Sequence, residues 1–455
     1  MSANNKHIER LQWVDTFIDN VRPYIFVRTE DNILIKRPNQ ATKINATGAR
    51  ILQFLVNGGK VADLFQKTGI DKANEIEQFI LAVKHFLEGK LDEFSLNPAV
   101  ETSRVDLNFS TLPVLSELAL TYDCNLRCKF CYAGCNCTSN PVGSGEELTM
   151  IGFKAIIEAI YKEAKVPSIS FTGGEPTLRP DLLVSCIEYA KSLGMRVNLI
   201  TNGTQVDQKL GRRLKKAGLD SAQVSIEGVT AEVHDSIVQC QGAFAKSINA
   251  VRIFKDQGIH VHTNTTLNKQ NADECLQIPE FVKTTLGLPR FSMNLIIPTG
   301  SSSMNDNLVI TYSEVGDYIR GIKENSNKHN VEFMWYSPIP MCIFNTITNE
   351  LGNKGCAACD GLLSVAPNGD VLPCASYDQP VGNMARQRFA EIWKGSHASY
   401  FKNKQFAHEQ CTSCDSFAIC NGGCPLYWRT MGYNELNFVK TQQAKERKAE
   451  SPNHW

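Results

Sequence analysis

Five cysteines lie close together after an apolar segment, "LALTYD", in the first third of the sequence. They fall within the fourteen residues "CNLRCKFCYAGCNC" and are Cys124, Cys128, Cys131, Cys135 and Cys137. The first three have C-x3-C-x2-C spacing, which supplies three thiolates from one short loop. Structural zinc prefers four ligands in CxxC pairs, so this spacing favours an iron–sulfur cluster with one iron left open, and zinc remains the alternative.

A second chemical motif, "FTGGEPTLRPD", follows the next predicted strand. Gly173 and Gly174 allow a ligand to approach the backbone closely, and Glu175 places a carboxylate at the carboxyl end of a parallel strand. Active sites of α/β proteins lie at that edge of the sheet. The alternative is that the glycine pair forms only a turn.

Cysteines return at high density after residue 340, in a segment with little periodicity. Such a segment is typically held together by metal rather than by an apolar core. The closely spaced members are Cys356, Cys359, Cys374, Cys411, Cys414, Cys420 and Cys424. Two CxxC pairs, "CAAC" and "CTSC", also satisfy a zinc-ribbon pattern, but a ribbon leaves Cys374, Cys420 and Cys424 without a role.

Composition and charge exclude several classes of function. The 455 residues include 47 basic and 47 acidic side chains, so no net field marks the chain as a binder of nucleic acid or anionic membranes. The N-terminus lacks a signal-peptide pattern, and no apolar run is long enough to span a membrane. We therefore expect a cytoplasmic protein, in which the closely spaced groups among the 16 cysteines serve as metal ligands rather than as a disulfide framework.

Alternating strands and helices predict the architecture that positions the first two motifs. Between about residues 113 and 335, six short apolar strands alternate with amphipathic helices: "ELALTY", "SISFT", "RVNLIT", "AQVSIE", "HVHTNT" and "FSMNLII". This pattern is typical of β/α units around a parallel sheet. It predicts an α/β fold, either a partial barrel or an open doubly wound sheet.

A separate unit precedes the sheet, at residues 20–95. Two strands, "YIFVR" and "ILIKR", flank a turn, and three helices follow them. The last helix is the clearest, because Ile76, Phe79, Ile80 and Val83 fall on one face and Gly89 lies where a helix would end.

These motifs together resemble those of radical S-adenosylmethionine (AdoMet) enzymes, known as the radical SAM family. The resemblance covers C-x3-C-x2-C with aromatic residues around its last cysteine, "GGEP", "TNGT" at 201–204, "VSIEG" at 224–228 and "HDSIVQCQGAF" from His234. It implies a partial (β/α)6 TIM barrel and a [4Fe-4S] cluster held by Cys124, Cys128 and Cys131. That cluster binds AdoMet and cleaves it to a 5′-deoxyadenosyl radical, which abstracts hydrogen from the substrate.

The resemblance also implies AdoMet contacts, residue by residue. Gly173, Gly174 and Glu175 would meet the amino group, and Asn202 and Ser225 would meet the ribose or carboxylate. Contacts with the adenine would come from Tyr132, Leu295 and Ile296. No catalytic acid or base is assigned.

The later cysteines resemble the SPASM extension, which holds auxiliary four-iron clusters. By this resemblance the nearer cluster is bound by Cys359, Cys374 and Cys424 with Cys356 or Cys342, and the outer one by Cys411, Cys414 and Cys420. The family pattern places the remaining outer ligand about eighteen residues beyond Cys424, where this sequence has no cysteine. Cys342, a carboxylate, a residue of the tail or an open site are the alternatives, so one or two auxiliary clusters are expected.

The N-terminal unit resembles PqqD-like domains, which have a winged-helix fold and recognise the leader of a precursor peptide. Such a unit exposes a strand edge to which an extended peptide can add. A packing or dimerisation domain is the alternative, and the neutral charge argues against DNA binding. The domains expected are residues 1–100 for peptide recognition, 110–338 for the radical SAM core, 339–430 for SPASM and 431–455 for a polar tail.

The combined resemblance implies a peptide maturase. Its substrate would be a ribosomally made precursor peptide, cross-linked through a thioether or carbon–carbon bond, with flavodoxin or ferredoxin as the reductant and no nucleic acid or membrane as partner. Two alternatives are an enzyme of the same type acting on a folded protein or a haem-pathway tetrapyrrole, and a zinc-binding scaffold without activity.

The remaining cysteines and histidines are interpreted as structural or incidental. Cys135 and Cys137 lie outside the triad and are read as accidental thiols near the site. A buried or otherwise structural role is expected for Cys186, Cys240, Cys275, His234, His260 and His262.

Overall fold

The computed structural model describes residues 3–38, 40–90, 95, 97–100, 109–135 and 145–437. The chain divides into an N-terminal unit, residues 1–115 with 165–168, and a large unit formed by residues 116–164 and 169–455. In the part of the chain that the structure describes, no helix is long and apolar enough to cross a membrane.

Among its described residues, the N-terminal unit contains a small sheet and the helices α1 to α4. The sheet has the order β1-β2-β3, with both pairs antiparallel. Its strands are β1 (Ile25–Arg28), β2 (Ile33–Lys36) and β3 (Gln40–Lys43). Its helices are α1 (Ala3–Val21), α2 (Ala46–Val56), α3 (Val61–Thr68) and α4 (Ala73–Glu88).

Local signals explain the helix ends of this unit. The Asn45 side chain accepts a hydrogen bond from the backbone of Gly48 at 2.8 Å and so caps α2. Gly89 adopts φ 81° and ends α4, as the sequence predicts. Helix α1 and strand β3 were not predicted, because "QATK" is short and α1 has weak amphipathicity.

A buried ion pair ties the β1–β2 turn to the end of the unit. Arg28 is 1% exposed, and its guanidinium donates to Asp31 at 2.7 and 2.8 Å. The same group donates to the carbonyl of Pro113 at 2.8 Å. Asp31 also accepts from the backbone of Thr111 at 3.0 Å, so both charges are fully paired where they are buried.

The large unit alternates strands and helices, as predicted. Its first seven strands are β4 (Leu115–Ala119), β5 (Ser168–Thr172), β6 (Arg196–Thr201), β7 (Ser221–Ser225), β8 (His260–Leu267), β9 (Arg290–Leu295) and β10 (Glu332–Trp335). The helices among them are α5 (Met150–Lys162), α6 (Pro180–Ser192), α7 (Gln208–Ala217), α8 (Ala231–Val238), α9 (Ala243–Asp256), α10 (Ala272–Cys275), α11 (Ile278–Thr284) and α12 (Tyr312–His329).

These seven strands lie side by side in chain order. The β4–β5 pair and each pair from β6 to β10 are parallel. The α/β fold with a parallel sheet is therefore confirmed. Strand β10 is one more than the six strands predicted, because "EFMW" follows a polar helix and is too short to be distinguished from a loop by periodicity.

The SPASM region continues the same sheet beyond β4. Strands β11 (Leu362–Val365), β12 (Asp370–Leu372) and β13 (Gly382–Asn383) extend the order to β5-β4-β11-β12-β13. Its short helices are α13 (Phe389–Trp393), α14 (Ser396–Lys402), α15 (Glu409–Thr412), α16 (Phe417–Cys420) and α17 (Pro425–Met431). Most of the predicted tail, residues 438–455, lies outside the described residues.

Candidate active site

The first three cysteines lie on the loop that leaves the carboxyl end of β4. Cys124, Cys128 and Cys131 are all partly exposed, and the backbone N–H of Leu126 donates to the Cys124 sulfur at 3.5 Å. Cys124 and Cys128 pack against an apolar patch of Leu126, Val238 and Ala243. Three sulfurs from one loop against a dry surface suit an iron–sulfur cluster, since hydrogen bonds to sulfur and restricted solvent set its potential.

The glycine pair after β5 holds this cysteine loop by direct backbone contact. The N–H of Gly174 donates to Thr121 O at 2.7 Å, and the N–H of Glu175 donates to Asp123 O at 2.8 Å. A Cβ on Gly173 would lie 2.2 Å from Thr121 O, and one on Gly174 would lie 2.3 Å from Asp123 O. The glycines are therefore required by the close approach of the cysteine loop, whereas the sequence predicted the approach of a ligand.

Glu175 has no exposed surface and binds neighbouring protein groups. Its carboxylate accepts hydrogen bonds from Thr177 N at 2.9 Å, Thr201 Oγ1 at 2.7 Å and Asn202 N at 2.7 Å, as well as from the Thr177 hydroxyl. Burial raises the pKa of Glu175, and these hydrogen bonds oppose the rise. Its oxygens thus join β5 to β6, and the predicted meeting of Glu175 with the AdoMet amino group stays a prediction.

Asn202 links the third strand of the parallel sheet to the cysteine loop. Its amide donates to Asn125 Oδ1 at 3.1 Å, while Asn125 donates to Thr204 Oγ1 at 2.7 Å. The backbone carbonyl of Asn202 accepts from Ser247 Oγ at 2.6 Å. Asn202 and Thr204 of the "TNGT" motif are thus partly exposed beside the residue that follows Cys124.

The loop after β9 lies against the other end of the cysteine loop. The N–H of Ser301 donates to Cys131 O at 2.9 Å, and a Cβ on Gly300 would lie 2.3 Å from that oxygen. Leu295 and Ile296 precede this loop and are 3% and 0% exposed. The predicted adenine contact of Leu295 and Ile296 stays a prediction, for which the structure leaves little exposed side-chain surface.

One face of the parallel sheet carries polar side chains. Asn198 donates to Ser170 Oγ at 3.3 Å and accepts from Ser221 Oγ at 2.7 Å, and Glu117 is the register partner of Ser170. Glu117 accepts from Ser364 Oγ at 2.6 Å, which connects β4 to β11, and burial raises its pKa. Ser225 lies partly exposed at the carboxyl end of β7.

Four of the later cysteines lie near one another in the structure, and we call them the inner set. The N–H of Cys359 donates to Pro373 O at 3.1 Å, next to Cys374. Burial raises the pKa of Cys374 well above its usual value, and the nearby charges of Cys424 and Cys356 raise it further. These neighbours favour Cys356 over Cys342 as the fourth member of the inner set, with Cys359, Cys374 and Cys424, and this ligand set stays a prediction.

Lys404 is a buried cation beside the inner set that sequence reasoning missed. It is 1% exposed, and its ammonium donates to Cys356 O at 2.7 Å and to Asp360 Oδ2 at 3.0 Å. The residue lies in a segment without periodicity, so nothing in the sequence marks it as buried. Its two hydrogen bonds hold the loop that carries Cys356 and Cys359.

Within the described residues, no group of three or more His, Cys, Asp or Glu side chains is placed to hold a single metal ion. The donor chemistry, all sulfur, fits iron–sulfur clusters.

Comparison with known proteins agrees with this donor chemistry. Residues 118–282 match the family model of the radical SAM superfamily, and residues 356–415 match that of the iron-sulfur cluster-binding SPASM domain. An AdoMet-dependent heme synthase of Oleidesulfovibrio alaskensis is 30% identical over 336 residues, 70% of this chain and 84% of that protein. The chain belongs to the radical SAM superfamily.

One further relative and one solved structure are similar to this radical SAM protein. A PqqA peptide cyclase of Granulibacter bethesdensis is 27% identical over 326 residues, 69% of this chain and 82% of that one. The crystal structure of Streptococcus suis SuiB bound to precursor peptide SuiA matches with a TM-score of 0.65 and 17% identity, over 89% of this chain and 95% of that one. Membership in the superfamily makes this protein an enzyme that uses AdoMet and [4Fe-4S] clusters.

The cysteines and histidines that are not predicted as cluster ligands have different environments in the enzyme. Cys186 and Cys275 have no exposed surface, as expected of structural thiols. His234 is 1% exposed and its Nδ1 accepts from the backbone of Glu227 at 3.0 Å, again a structural role. Cys137 lies outside the described residues.

Cys135 differs from the accidental thiol that the sequence suggested. It is 2% exposed, and a hydrogen bond from its thiol lowers the pKa of Cys131. We expect Cys135→Ala to retain AdoMet cleavage within about 100-fold of the parent, since residues that support metal ligands typically contribute about 10–100-fold. Anaerobic assay of 5′-deoxyadenosine checks this, with Cys186→Ala as the buried control, and complete loss would make Cys135 a cluster ligand.

Proposed function

We propose that this radical SAM/SPASM enzyme modifies a ribosomally made precursor peptide whose leader binds the N-terminal unit. The AdoMet cluster would be held by Cys124, Cys128 and Cys131, and an auxiliary cluster by the inner set. When bound, AdoMet and its reduced cluster supply the radical that abstracts hydrogen, and the auxiliary cluster accepts the electron left by bond formation. An external one-electron reductant such as flavodoxin or ferredoxin would complete the cycle.

The roles of the chain's own residues follow from the contacts of the site. Gly173 and Gly174 fix the cysteine loop, and Glu175 fixes Asn202, so the motif positions the AdoMet pocket through its backbone. The partly exposed Tyr132, Asn202 and Ser225 remain the predicted AdoMet contacts. Glu117, on the same face of the sheet as Ser170, is the acidic group that we propose faces the substrate.

The fold of the N-terminal unit carries the proposal of a peptide substrate. Because SuiB matches over 89% of this chain, the shared fold necessarily includes part of residues 1–115. That match is to a maturase seen with its precursor peptide. The PqqA peptide cyclase relative is likewise named for a peptide substrate.

Strand β3 is the edge that we propose for leader binding. The N–H of Ile44 donates to Asn32 O, so 32 and 44 form a hydrogen-bonded pair. Alternation along an antiparallel ladder then directs the backbone groups of Ala41 and Lys43 away from β2, toward the outer edge. Ile44 already forms an antiparallel bridge with Val100, so an extended leader can add through main-chain hydrogen bonds along the earlier part of this edge, at Ala41.

We expect Ala41→Pro to weaken peptide processing while AdoMet cleavage is retained. Proline removes the outward N–H of residue 41 without removing a donor to β2, and one main-chain hydrogen bond plus the ring's bulk is worth about tenfold in affinity. The probe is the short peptide encoded beside this chain's gene, co-expressed anaerobically and examined by mass spectrometry, where cross-linking lowers the mass by about 2 Da. Ala41→Ser, which keeps the N–H, is the matched control. Equal processing by both variants would contradict β3 as the docking edge.

A haem-pathway tetrapyrrole is the second candidate substrate, because the heme synthase relative is 30% identical. Anaerobic incubation with iron coproporphyrin III separates the two proposals. Conversion of the porphyrin, unaffected by Ala41→Pro, would favour the tetrapyrrole, whereas a mass change in the peptide alone favours the maturase.

A further inference from the structure

The turn at residues 340–344 lies against the outer cysteines of the SPASM domain. The backbone N–H of Met341 donates to the Cys420 sulfur at 3.2 Å. The N–H groups of Ile343 and Phe344 both donate to Pro340 O, at 2.9 and 3.0 Å, which closes the turn around Cys342. Met341, which precedes Cys342, therefore contacts Cys420 although the two residues are 79 positions apart in the chain.

Packing of a glycine turn brings the same segments together. Gly422 and Gly423 adopt φ of 75° and 88°, which favours glycine at both positions. A Cβ on Gly423 would lie 2.9 Å from Pro340 Cγ, and one on Gly422 would lie 3.5 Å from the Cys411 sulfur. The glycine turn thus fits between the Cys342 turn and the helix that carries Cys411.

Backbone hydrogen bonds bring the three later cysteines of the outer group together. The N–H of Cys414 donates to Cys411 O at 3.0 Å, and the N–H of Phe417 donates to Cys414 O at 2.9 Å. Phe417 begins the helix that ends at Cys420.

We propose that Cys342 is the fourth ligand of an outer four-iron cluster that Cys411, Cys414 and Cys420 bind from the other side. This departs from the family pattern, in which the fourth ligand follows the other three in the chain. The inference rests on the auxiliary clusters of the proposed function. With Cys342 as a ligand, the inner and the outer cluster would each be bound by four cysteines.

The assignment gives the outer cluster a structural consequence. Cys342 follows β10, the last parallel strand, whereas the other three ligands lie on α15, α16 and the segment between them. An outer cluster bound in this way joins the exit of the parallel sheet to the C-terminal part of the SPASM domain. A ligand placed after Cys424 would make no such connection.

Iron counting in a background without the AdoMet cluster tests the ligand directly. In the full chain carrying Cys124→Ala, Cys128→Ala and Cys131→Ala, two auxiliary clusters correspond to about eight irons per chain. Adding Cys342→Ala is expected to remove about four irons, or to leave a three-iron cluster visible by electron paramagnetic resonance. Cys414→Ala should give the same result, and Cys240→Ala, which alters a cysteine far from the SPASM domain in sequence, should give none.

Cys342→Ser supplies a second measurement that does not depend on cluster loss. A serine oxygen in place of sulfur should retain iron but shift the Mössbauer parameters of one iron site. If Cys342→Ala retains all iron while Cys414→Ala loses it, the fourth ligand lies elsewhere and the inference is wrong. About four irons in the background itself would also overturn it. Neither result depends on AdoMet cleavage or peptide processing, so the proposed function would be tested separately.

Discussion

Replacing Cys128 with alanine is expected to reduce AdoMet cleavage to the rate without enzyme, a loss of at least about 1000-fold. The reason is that one loop supplies all three thiolates, and partners that only support metal ligands already contribute about 10–100-fold. Anaerobic reconstitution followed by quantification of 5′-deoxyadenosine measures the loss. The iron bound by the SPASM cysteines should be unchanged.

Cys240→Ala is the matched control for this experiment. Cys240 packs against the same apolar patch as Cys124 and Cys128, formed by Leu126, Val238 and Ala243. Its substitution therefore perturbs the packing of the site without removing a predicted ligand. Retention of cleavage by Cys128→Ala, or equal loss in both variants, would contradict the assignment of the cysteine triad.

The zinc-binding scaffold, which the cysteine spacing alone left open, predicts a different result. A structural zinc site would lose stability on cysteine substitution but would never cleave AdoMet. Membership in the radical SAM superfamily already argues against that alternative. Metal analysis of the parent protein, with iron and acid-labile sulfide but little zinc, provides the direct check.

Sequence patterns predicted the parts of this enzyme that depend on neighbouring residues. The periodicity of the segment at Met150–Lys162 predicts α5, and the structure buries its apolar residues Phe153, Ile156, Ile157 and Ile160. Thr149 caps this helix. Helix α5 could therefore be predicted from its own short segment of sequence.

Contacts between distant segments could not be predicted in the same way. Lys404 approaches Cys356 across 48 positions, and Met341 approaches Cys420 across 79. Neither pair shares a local motif, because both depend on how irregular loops fold around cysteines. For the same reason, the sequence alone does not decide which auxiliary cluster Cys342 would bind, and it does not mark Lys404 as buried.

The glycines of "GGEP" show a subtler limit. Their presence predicts a close backbone approach, but the sequence does not say what approaches. The ligand was the natural expectation, and the structure places the carbonyls of Thr121 and Asp123 there. A motif that fits a cofactor can thus be required first by the protein segment that holds the cofactor.

Glu175→Ala is expected to weaken AdoMet binding by about 10–100-fold and to destabilise the protein by about 4 kcal/mol. The buried carboxylate satisfies donors on Thr177, Thr201 and Asn202, and alanine leaves them without a partner. Each buried donor left unsatisfied costs about 1–3 kcal/mol, and the costs do not add fully. Glu175→Gln retains one acceptor oxygen and should fall between alanine and the parent.

Glu274→Gln is the control that separates burial from hydrogen bonding. Glu274 also accepts from three donors, Val229 N, Thr230 N and Thr230 Oγ1, but it is partly exposed to water, which can replace its lost bonds. Equilibrium dialysis with AdoMet on the reconstituted enzymes, beside thermal unfolding of the same samples, measures both effects. If Glu175→Ala lowers the unfolding temperature but leaves AdoMet affinity at the level of Glu274→Gln, the carboxylate stabilises the sheet without positioning Asn202 for the cofactor. An AdoMet affinity that is lowest in Glu175→Ala, intermediate in Glu175→Gln and highest in the parent would show that the buried network itself shapes the AdoMet pocket.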